Sequence, residues 1–164
     1  MKITNTSLET AAIQLEGNGP AIVGAYNPPQ NYFKVSELAK ILGISNKIIP
    51  AGDLNAKNIA WNCNTNETNG ITLEKFLNTS GTRINFPNEP THTPLNGTSP
   101  TTIDIFLVKN ILNYTRAKTL NELNSDHSPI TMETTFDGFE VSKTITSFKN
   151  TDWKKFRIDI NRTK

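Results

Sequence analysis

Apolar residues occur along the chain in short blocks that end at Gly, Pro, Asn or Asp. Apolar runs of about 4–8 residues with such boundaries are typical of strands buried in a sheet. The pattern predicts six strands, at 10–15, 21–26, 47–51, 82–86, 102–108 and 128–135.

Two other stretches have the spacing of a helix that buries one face. The apolar residues of 35–42 fall on one side of a helix, and Gly43 follows them as a stop signal. The pattern recurs at 71–77, where Asn69 is a candidate N-terminal cap. The order strand, strand, helix, strand, helix and then strands predicts an α+β sandwich in which helices cover strand-rich layers.

Two polar stretches separate these elements. Residues 54–69 are Asn-rich, and residues 87–101 contain four prolines. A buried loop would leave backbone polar groups without hydrogen-bond partners, so both stretches are predicted to be surface loops.

Length and charge indicate one folded domain with a basic end. The chain has 164 residues, 35% hydrophobic and 20% charged, with a net charge of +2. Residues 143–164 carry seven basic and two acidic side chains. We therefore divide the chain into a domain at 1–136 and a basic segment at 137–164. That segment could screen nucleic-acid phosphates, or it could be an ordinary solvated terminus.

The sequence excludes some classes of protein. Cys63 is the only cysteine, so neither an internal disulfide nor a Cys-rich zinc site can form, and a reducing compartment is compatible. No apolar run approaches the ~18 residues that span a bilayer, and the first residues have no apolar signal-peptide core. We expect neither secretion nor membrane insertion.

Asp53 and Asn55 directly follow the apolar strand at 47–51. Their i, i+2 spacing puts them on one side of extended backbone. The Asp could act as a general base and the Asn as a donor to a phosphate oxygen. Alternatively, both residues belong to an ordinary turn that closes the strand.

Three more candidates lie next to later apolar strands. Ser125, Asp126 and His127 directly precede the strand at 128–135. Asp126 could ligate a hard cation and His127 could contact a phosphate, unless the segment is only a turn with an Asp cap.

Asp104 interrupts the apolar strand at 102–108. An unpaired carboxylate is costly to bury, so we expect a partner, with His127 as the candidate. The alternative is a solvated strand face.

Tyr26 ends a strand immediately before Asn27 and the Pro28-Pro29 break. Proline ends strand pairing and stiffens the exit, which would hold Tyr26 at the rim of a cleft. Alone, a Tyr before Pro-Pro is usually just a packed ring.

The ordered set of motifs resembles the endonuclease/exonuclease/phosphatase family. It consists of Tyr-Asn-Pro-Pro at 26–29, Gly-Asp-Leu-Asn at 52–55, Ile-Asp at 103–104 and Ser-Asp-His at 125–127. The details at 52–61, 69–76, 90–92 and 151–156 are similar to the endonuclease domain of jockey-type non-LTR retrotransposon polyproteins. The resemblance implies a deoxyribonuclease-I-like fold, an incomplete four-layer αββα sandwich with two mixed sheets flanked by helices.

The resemblance also implies roles. Asp53 would orient or deprotonate the attacking water, and Asn55 and His127 would contact the scissile phosphate. Asp104 would orient His127, Tyr26 would lie against the phosphate or leaving oxygen, and Asp126 would help to hold Mg2+ or Mn2+. Thr91 and Ser125 would be secondary hydrogen-bonding positions on the phosphate. The implied partners are DNA and a reverse transcriptase domain, and the implied location is intracellular, in the nucleus for the parent element.

Two family positions cannot be matched. The family's first-strand Asn and metal-binding Glu lie well before the Tyr-x-Pro-Pro element, and here 25 residues precede Tyr26. Asn58 also stands where similar sequences carry His. We therefore expect an N-terminally truncated domain with little or no nicking activity. A non-catalytic nucleic-acid-binding remnant and a small-molecule or lipid phosphodiesterase stay open as alternatives.

Overall fold

The computed structural model describes residues 6–120, 122 and 125–136. In chain order the elements are β1 (Glu9–Gln14), β2 (Ala21–Tyr26), α1 (Val35–Leu42), β3 (Ile48–Asp53), a 3-10 turn (Ile59–Trp61), α2 (Thr68–Ser80), β4 (Arg83–Asn85), β5 (Asp104–Val108), β6 (Lys118–Thr119) and β7 (Ile130–Thr131). The predicted basic segment at 137–164, including the stretch at 151–156 that is similar to the retrotransposon endonucleases, lies outside the described residues.

Strands β1 to β5 form one mixed sheet, in which their spatial order is β1-β2-β3-β5-β4. Among the described strands, only β2 and β3 pair in parallel. A parallel pair needs a long crossover connection, and here that connection contains α1. β6 and β7 form a second, two-stranded antiparallel sheet. The α+β class is confirmed.

Both faces of the large sheet are apolar, and each face packs in a different hydrophobic core. Alternate residues such as Val23, Ile48 and Ile105 pack with α1 and α2 into the larger core. The residues between them, including Ile49 and Val108, form a second core that Tyr114, Met132 and Phe136 also contact. This period-2 pattern fixes which side each strand residue points to.

The polar stretch at 54–69 is not a surface loop as expected. Leu54, Ala56, Trp61 and Cys63 are buried, and the Trp61 indole Nε1 donates to the Ala56 carbonyl at 2.7 Å. Asn58 is also buried: its side-chain Oδ1 accepts from Ala60 N at 2.8 Å, and its Nδ2 donates to Glu74 at 3.0 Å. The asparagine side chains supply the hydrogen bonds that water would otherwise make, so a buried loop becomes possible.

The predicted cap at Asn69 is wrong. The N-cap position of α2 is Glu67, and Asn69 lies buried in the first turn of the helix. Its side-chain Nδ2 donates to the Asn31 carbonyl at 2.8 Å and to the Asn55 carbonyl at 3.3 Å. Asn69 therefore ties the start of α2 to the turn that follows β3.

Three strands are shorter than predicted, and β4 spans only Arg83–Asn85 of the expected 82–86. β5 begins at Asp104 rather than at 102, because the backbone N–H groups of Ile103 and Asp104 donate to the Thr91 hydroxyl. The strand predicted at 128–135 pairs only at Ile130–Thr131, with one further bridge at Thr134. In the part of the chain that the structure describes, no helix has the length and apolar character needed to cross a membrane.

Gly52 should not tolerate a side chain. Its φ is +141°, and an added Cβ would collide with the Ala25 carbonyl of the neighbouring strand. We expect Gly52→Ala to lower the free energy of unfolding by about 2–3 kcal/mol, from backbone strain and overpacking together. Urea denaturation measures the loss. Gly81→Ala is the control, since Gly81 has φ +66° but nothing within 4 Å of the added Cβ; equal losses in both variants would contradict the collision.

Candidate active site

Asp53, Asp104 and Tyr26 lie on one face at one end of the large sheet. Asp53 pairs directly with Asp104 across the antiparallel β3 and β5. Tyr26 ends β2, the parallel neighbour of β3, with the next residue's N–H bonded to the Asp53 carbonyl at 2.8 Å. Given the period-2 alternation, these three side chains point to the side opposite the helices. Tyr26 is 41% exposed, as a rim position requires.

The predicted partnership of Asp104 and His127 is confirmed. The His127 ring Nδ1 is 3.0 Å from the Asp104 carboxylate Oδ2. An ionised carboxylate only accepts, so Nδ1 carries the proton in this pair and Nε2 is left to face a ligand. The pair joins β5 to the segment before β7 and brings the Ser-Asp-His motif over the end of the sheet.

Asn55 is held in place by its own side chain. Its backbone is left-handed, with φ +42°, a conformation that Asn adopts more readily than most residues. Its Nδ2 donates to the Asn27 carbonyl at 2.8 Å and to Asp53 Oδ2 at 3.1 Å. Both amide protons are therefore used. Contact with a phosphate through this amide N–H, as expected from the sequence, would require one of these bonds to break.

Asp53 is partly buried, and the pKa of its carboxyl group is raised. The pKa of Asp53 is raised to about 6, mainly by burial and also by the nearby Asp104 carboxylate, against the lowering effect of the Asn55 N–H and His127. Asn55 N donates to Asp53 Oδ1 at 2.9 Å, so both carboxylate oxygens have a partner. A carboxylate with this pKa can take up a proton near neutral pH.

The raised pKa of Asp53 predicts a pH-dependent stability. Between its ordinary value of 3.8 and about 6 the folded state binds more protons than the unfolded state, so this group makes the free energy of unfolding fall as pH rises. In Asp53→Asn the contribution is absent. The stability of the variant relative to the wild type should therefore increase from pH 4 to pH 7 and then level off. Urea denaturation at pH 4, 5, 6 and 7 measures it, and a difference independent of pH would contradict the shift.

Thr91 and Ser125, the expected secondary phosphate positions, lie in different surroundings. Thr91 is fully buried, and its hydroxyl accepts from the N–H groups of Ile103 and Asp104, both at 3.0 Å. It supports the start of β5 from beneath and is shielded from a ligand. Ser125 is exposed, and its hydroxyl accepts from His127 N at 3.2 Å and donates to Asp126 at 3.3 Å.

Asp126 is accessible and remains ionised more readily than usual. Despite a desolvation cost, hydrogen bonds from its own N–H and from Ser125, with His127 nearby, hold the pKa of Asp126 below its usual range. Mg2+ is commonly bound by one or two carboxylates together with several waters. The Asp126 carboxylate with the adjacent Ser125 hydroxyl fits a magnesium ion bound in this way, since both oxygens reach solvent.

His92 is a site residue for which no role was predicted from the sequence. Its ring lies against His127, with centroids 4.5 Å apart, and its Nε2 is 3.7 Å from Asp126 Oδ2. Burial, and secondarily His127, lower the pKa of His92, which outweighs the opposing effect of Asp126 and favours a neutral ring. The available signal was composition, because His92 and His127 are the only histidines in the chain.

At the site, a carboxylate pair spans two strand ends, a histidine is bonded to one of these carboxylates, and an exposed carboxylate lies nearby, all on an α+β fold. The family model described as endonuclease-reverse transcriptase matches residues 21–131, which include every site residue named above. The chain belongs to this endonuclease-reverse transcriptase family.

The first of two further comparisons is to a protein sequence, and the second is to a solved structure and concerns the fold alone. The chain is 32% identical over 135 residues to the probable RNA-directed DNA polymerase from transposon X-element of Drosophila melanogaster, a match that covers 76% of this chain and 15% of that protein. The structure is similar to the endonuclease domain of TRAS1, a telomere-specific non-LTR retrotransposon, with a TM-score of 0.68 at 18% identity over 80% of this chain and 64% of that one. The second likeness confirms the expected deoxyribonuclease-I-like fold. The chain spans only a small part of the transposon protein.

Proposed function

We propose that this chain is the endonuclease domain of a retrotransposon polyprotein and that its site hydrolyses a phosphodiester bond in DNA. The observation that carries the proposal is the meeting of Asp53, Asn55, Asp104 and His127 at one end of the sheet, with the Asp104–His127 hydrogen bond at 3.0 Å. Such a set offers a base and a phosphate-facing donor within one small region.

Asp53 is the proposed general base. A base works best when its pKa lies near the working pH, since it must be ionised before the reaction and protonated during it. Burial gives Asp53 a pKa of about 6, so it is mostly ionised at neutral pH. The Asn55 hydrogen bonds to both carboxylate oxygens fix its direction.

His127 is the proposed phosphate contact. With Nδ1 bonded to Asp104, Nε2 is the nitrogen that can face a phosphate oxygen. When the ring is protonated, Nε2 donates a hydrogen bond to the oxygen on which negative charge accumulates. Tyr26, on the same sheet face and partly exposed, would border the leaving oxygen.

Asp126, assisted by Ser125, would hold Mg2+ or Mn2+. When bound, a divalent ion neutralises the charge that develops on the phosphate oxygens. The half-exposed Asp126 carboxylate is suited to an ion that keeps most of its water.

DNA and a reverse transcriptase domain are the proposed partners, and the nucleus is the proposed location for the parent element. The transposon relative supports the second partner, since it is described as an RNA-directed DNA polymerase.

A supercoiled plasmid tests the proposal sensitively, since one cut converts the whole molecule to the relaxed form. We expect relaxation with Mg2+ or Mn2+ and none when EDTA removes the ion. Relaxation that continues unchanged in EDTA would overturn the metal-dependent mechanism.

The same preparation separates the alternatives. Salt-dependent DNA binding without any cleavage would select a nucleic-acid-binding remnant. Hydrolysis of phosphoinositides without hydrolysis of DNA would select a lipid phosphodiesterase.

A further inference from the structure

The two histidines of the chain and Asp126 form a compact group of possible metal ligands. One ligand atom from each of His92, Asp126 and His127 lies within 4.8 Å of the other two. Both imidazole rings face each other at 4.5 Å. The proposed magnesium role uses Asp126 and leaves His92 without a function.

Backbone contacts hold these three side chains together. His92 and His127 are partners in an antiparallel bridge, and Thr93 N donates to the Asp126 carbonyl at 2.8 Å. The positions of the ligands are therefore set by backbone pairing, and they do not depend on a chance contact of long side chains.

Asp104 adds a feature that metal-binding histidines commonly have. A ligating imidazole usually donates its other ring N–H to a carboxylate, which fixes the ring and leaves the second nitrogen for the metal. His127 has this arrangement, with Nδ1 on Asp104 at 3.0 Å. His92 Nε2 lies 3.7 Å from Asp126 Oδ2, so a ring nitrogen of His92 faces the same carboxylate.

The donor set indicates which ion fits. Two imidazoles and one carboxylate suit a borderline transition dication, whereas Mg2+ prefers oxygen ligands. Around tetrahedral Zn2+ with bonds of about 2.0–2.1 Å, ligand atoms are about 3.3 Å apart. The group would have to contract by up to about 1.5 Å from its 4.8 Å limit, and the half-exposed Asp126 side chain has room to move.

We propose that His92, Asp126 and His127 bind one Zn2+, with solvent completing the coordination. This function is additional to DNA cleavage. The ion would occupy His127 Nε2 and the Asp126 carboxylate together, so the phosphate contact and the proposed magnesium ligand would both be unavailable while it is bound.

Cobalt is the probe, because Co2+ replaces Zn2+ and its visible absorption reports tetrahedral coordination by nitrogen and oxygen. The full chain is titrated with Co2+ in the absence of DNA and then with Zn2+. We expect one Co2+ per chain, displaced by Zn2+ and not by Mg2+. Because DNA is absent, the result does not depend on whether the chain cleaves it.

Three variants assign the ligands. His92→Gln and Asp126→Asn should each weaken Co2+ binding by at least about 10-fold, and Asp104→Asn by about 10–100-fold through the loss of its bond to His127. Glu16→Gln, an exposed acid on the β1–β2 turn, should bind like the wild type.

Asp126→Asn keeps the test decisive if His92→Gln does not fold, since the Asp126 side chain is half-exposed. Wild-type affinity in folded His92→Gln or Asp126→Asn, or no cobalt spectrum with the wild type, would overturn the proposal.

Discussion

Replacing His127 with Ala should slow magnesium-dependent nicking by about 10²–10³-fold, the usual contribution of one positioned hydrogen-bond donor to the developing charge. Asp104→Asn should also slow it, because the amide cannot hold the proton-bearing Nδ1 of His127 as the carboxylate does at 3.0 Å. The two residues act as one unit, so the double variant should be no slower than His127→Ala alone. Initial rates of plasmid relaxation by the four proteins give the comparison.

Glu16→Gln is the control for these variants, since its charge change lies on an exposed turn outside the site. It should relax the plasmid at the wild-type rate. If the losses of His127→Ala and Asp104→Asn simply multiplied in the double variant, the two side chains would act independently, contrary to their observed hydrogen bond.

Trp61→Ala should lower the free energy of unfolding by about 3–5 kcal/mol, as expected for the loss of a large buried ring. Trp61 is 1% exposed, packs in the larger core and donates its indole N–H to Ala56. Its removal would leave a cavity and an unpaired carbonyl directly after the Asp53–Asn55 turn. Urea denaturation followed by circular dichroism measures the change.

Ile59→Ala is the matched control within the same 3-10 turn. Ile59 is 63% exposed, so the substitution should change the free energy of unfolding by less than about 0.5 kcal/mol. A Trp61→Ala loss as small as that of Ile59→Ala would mean that the indole is not part of the core.

The sequence was most informative where local pattern and tertiary packing agree. The predicted helix at 35–42 matches α1, because its apolar side faces the sheet and Gly43 ends it. The strand before Asp53 was also predicted well, because β3 lies between two other strands and is apolar on both faces. In such elements, the burial of apolar side chains determines the structure, so the apolar pattern of the sequence predicts the element directly.

Part of the site could be predicted for a related reason. Asp104 stood out because a carboxylate inside an apolar strand needs a partner, and His127 is that partner. The resemblance placed Asp53 in the same group, and the strand register now explains the proximity of Asp53 and Asp104. Pattern alone could not supply this pairing, since β4 and β5 reach the sheet in an order that the chain does not reveal.

Other features depend on contacts between distant parts of the chain. Trp61 is buried within an Asn-rich stretch because asparagine side chains replace water as hydrogen-bond partners there. Thr91 supports β5 through backbone N–H groups more than ten residues away. His92 reaches Asp126 only because a bridge joins its segment to His127. None of these contacts has a local sequence signal.

Asp53, Asn55, Asp104 and His127, at one end of the sheet, are proposed to cleave DNA, with Asp53 as the base. The most direct measurement is the rate of plasmid relaxation by Asp53→Asn relative to the wild type, in Mg2+ at neutral pH. The rate should be at least about 10²-fold lower in the variant, with the fold retained. Equal rates in Asp53→Asn and the wild type would contradict it.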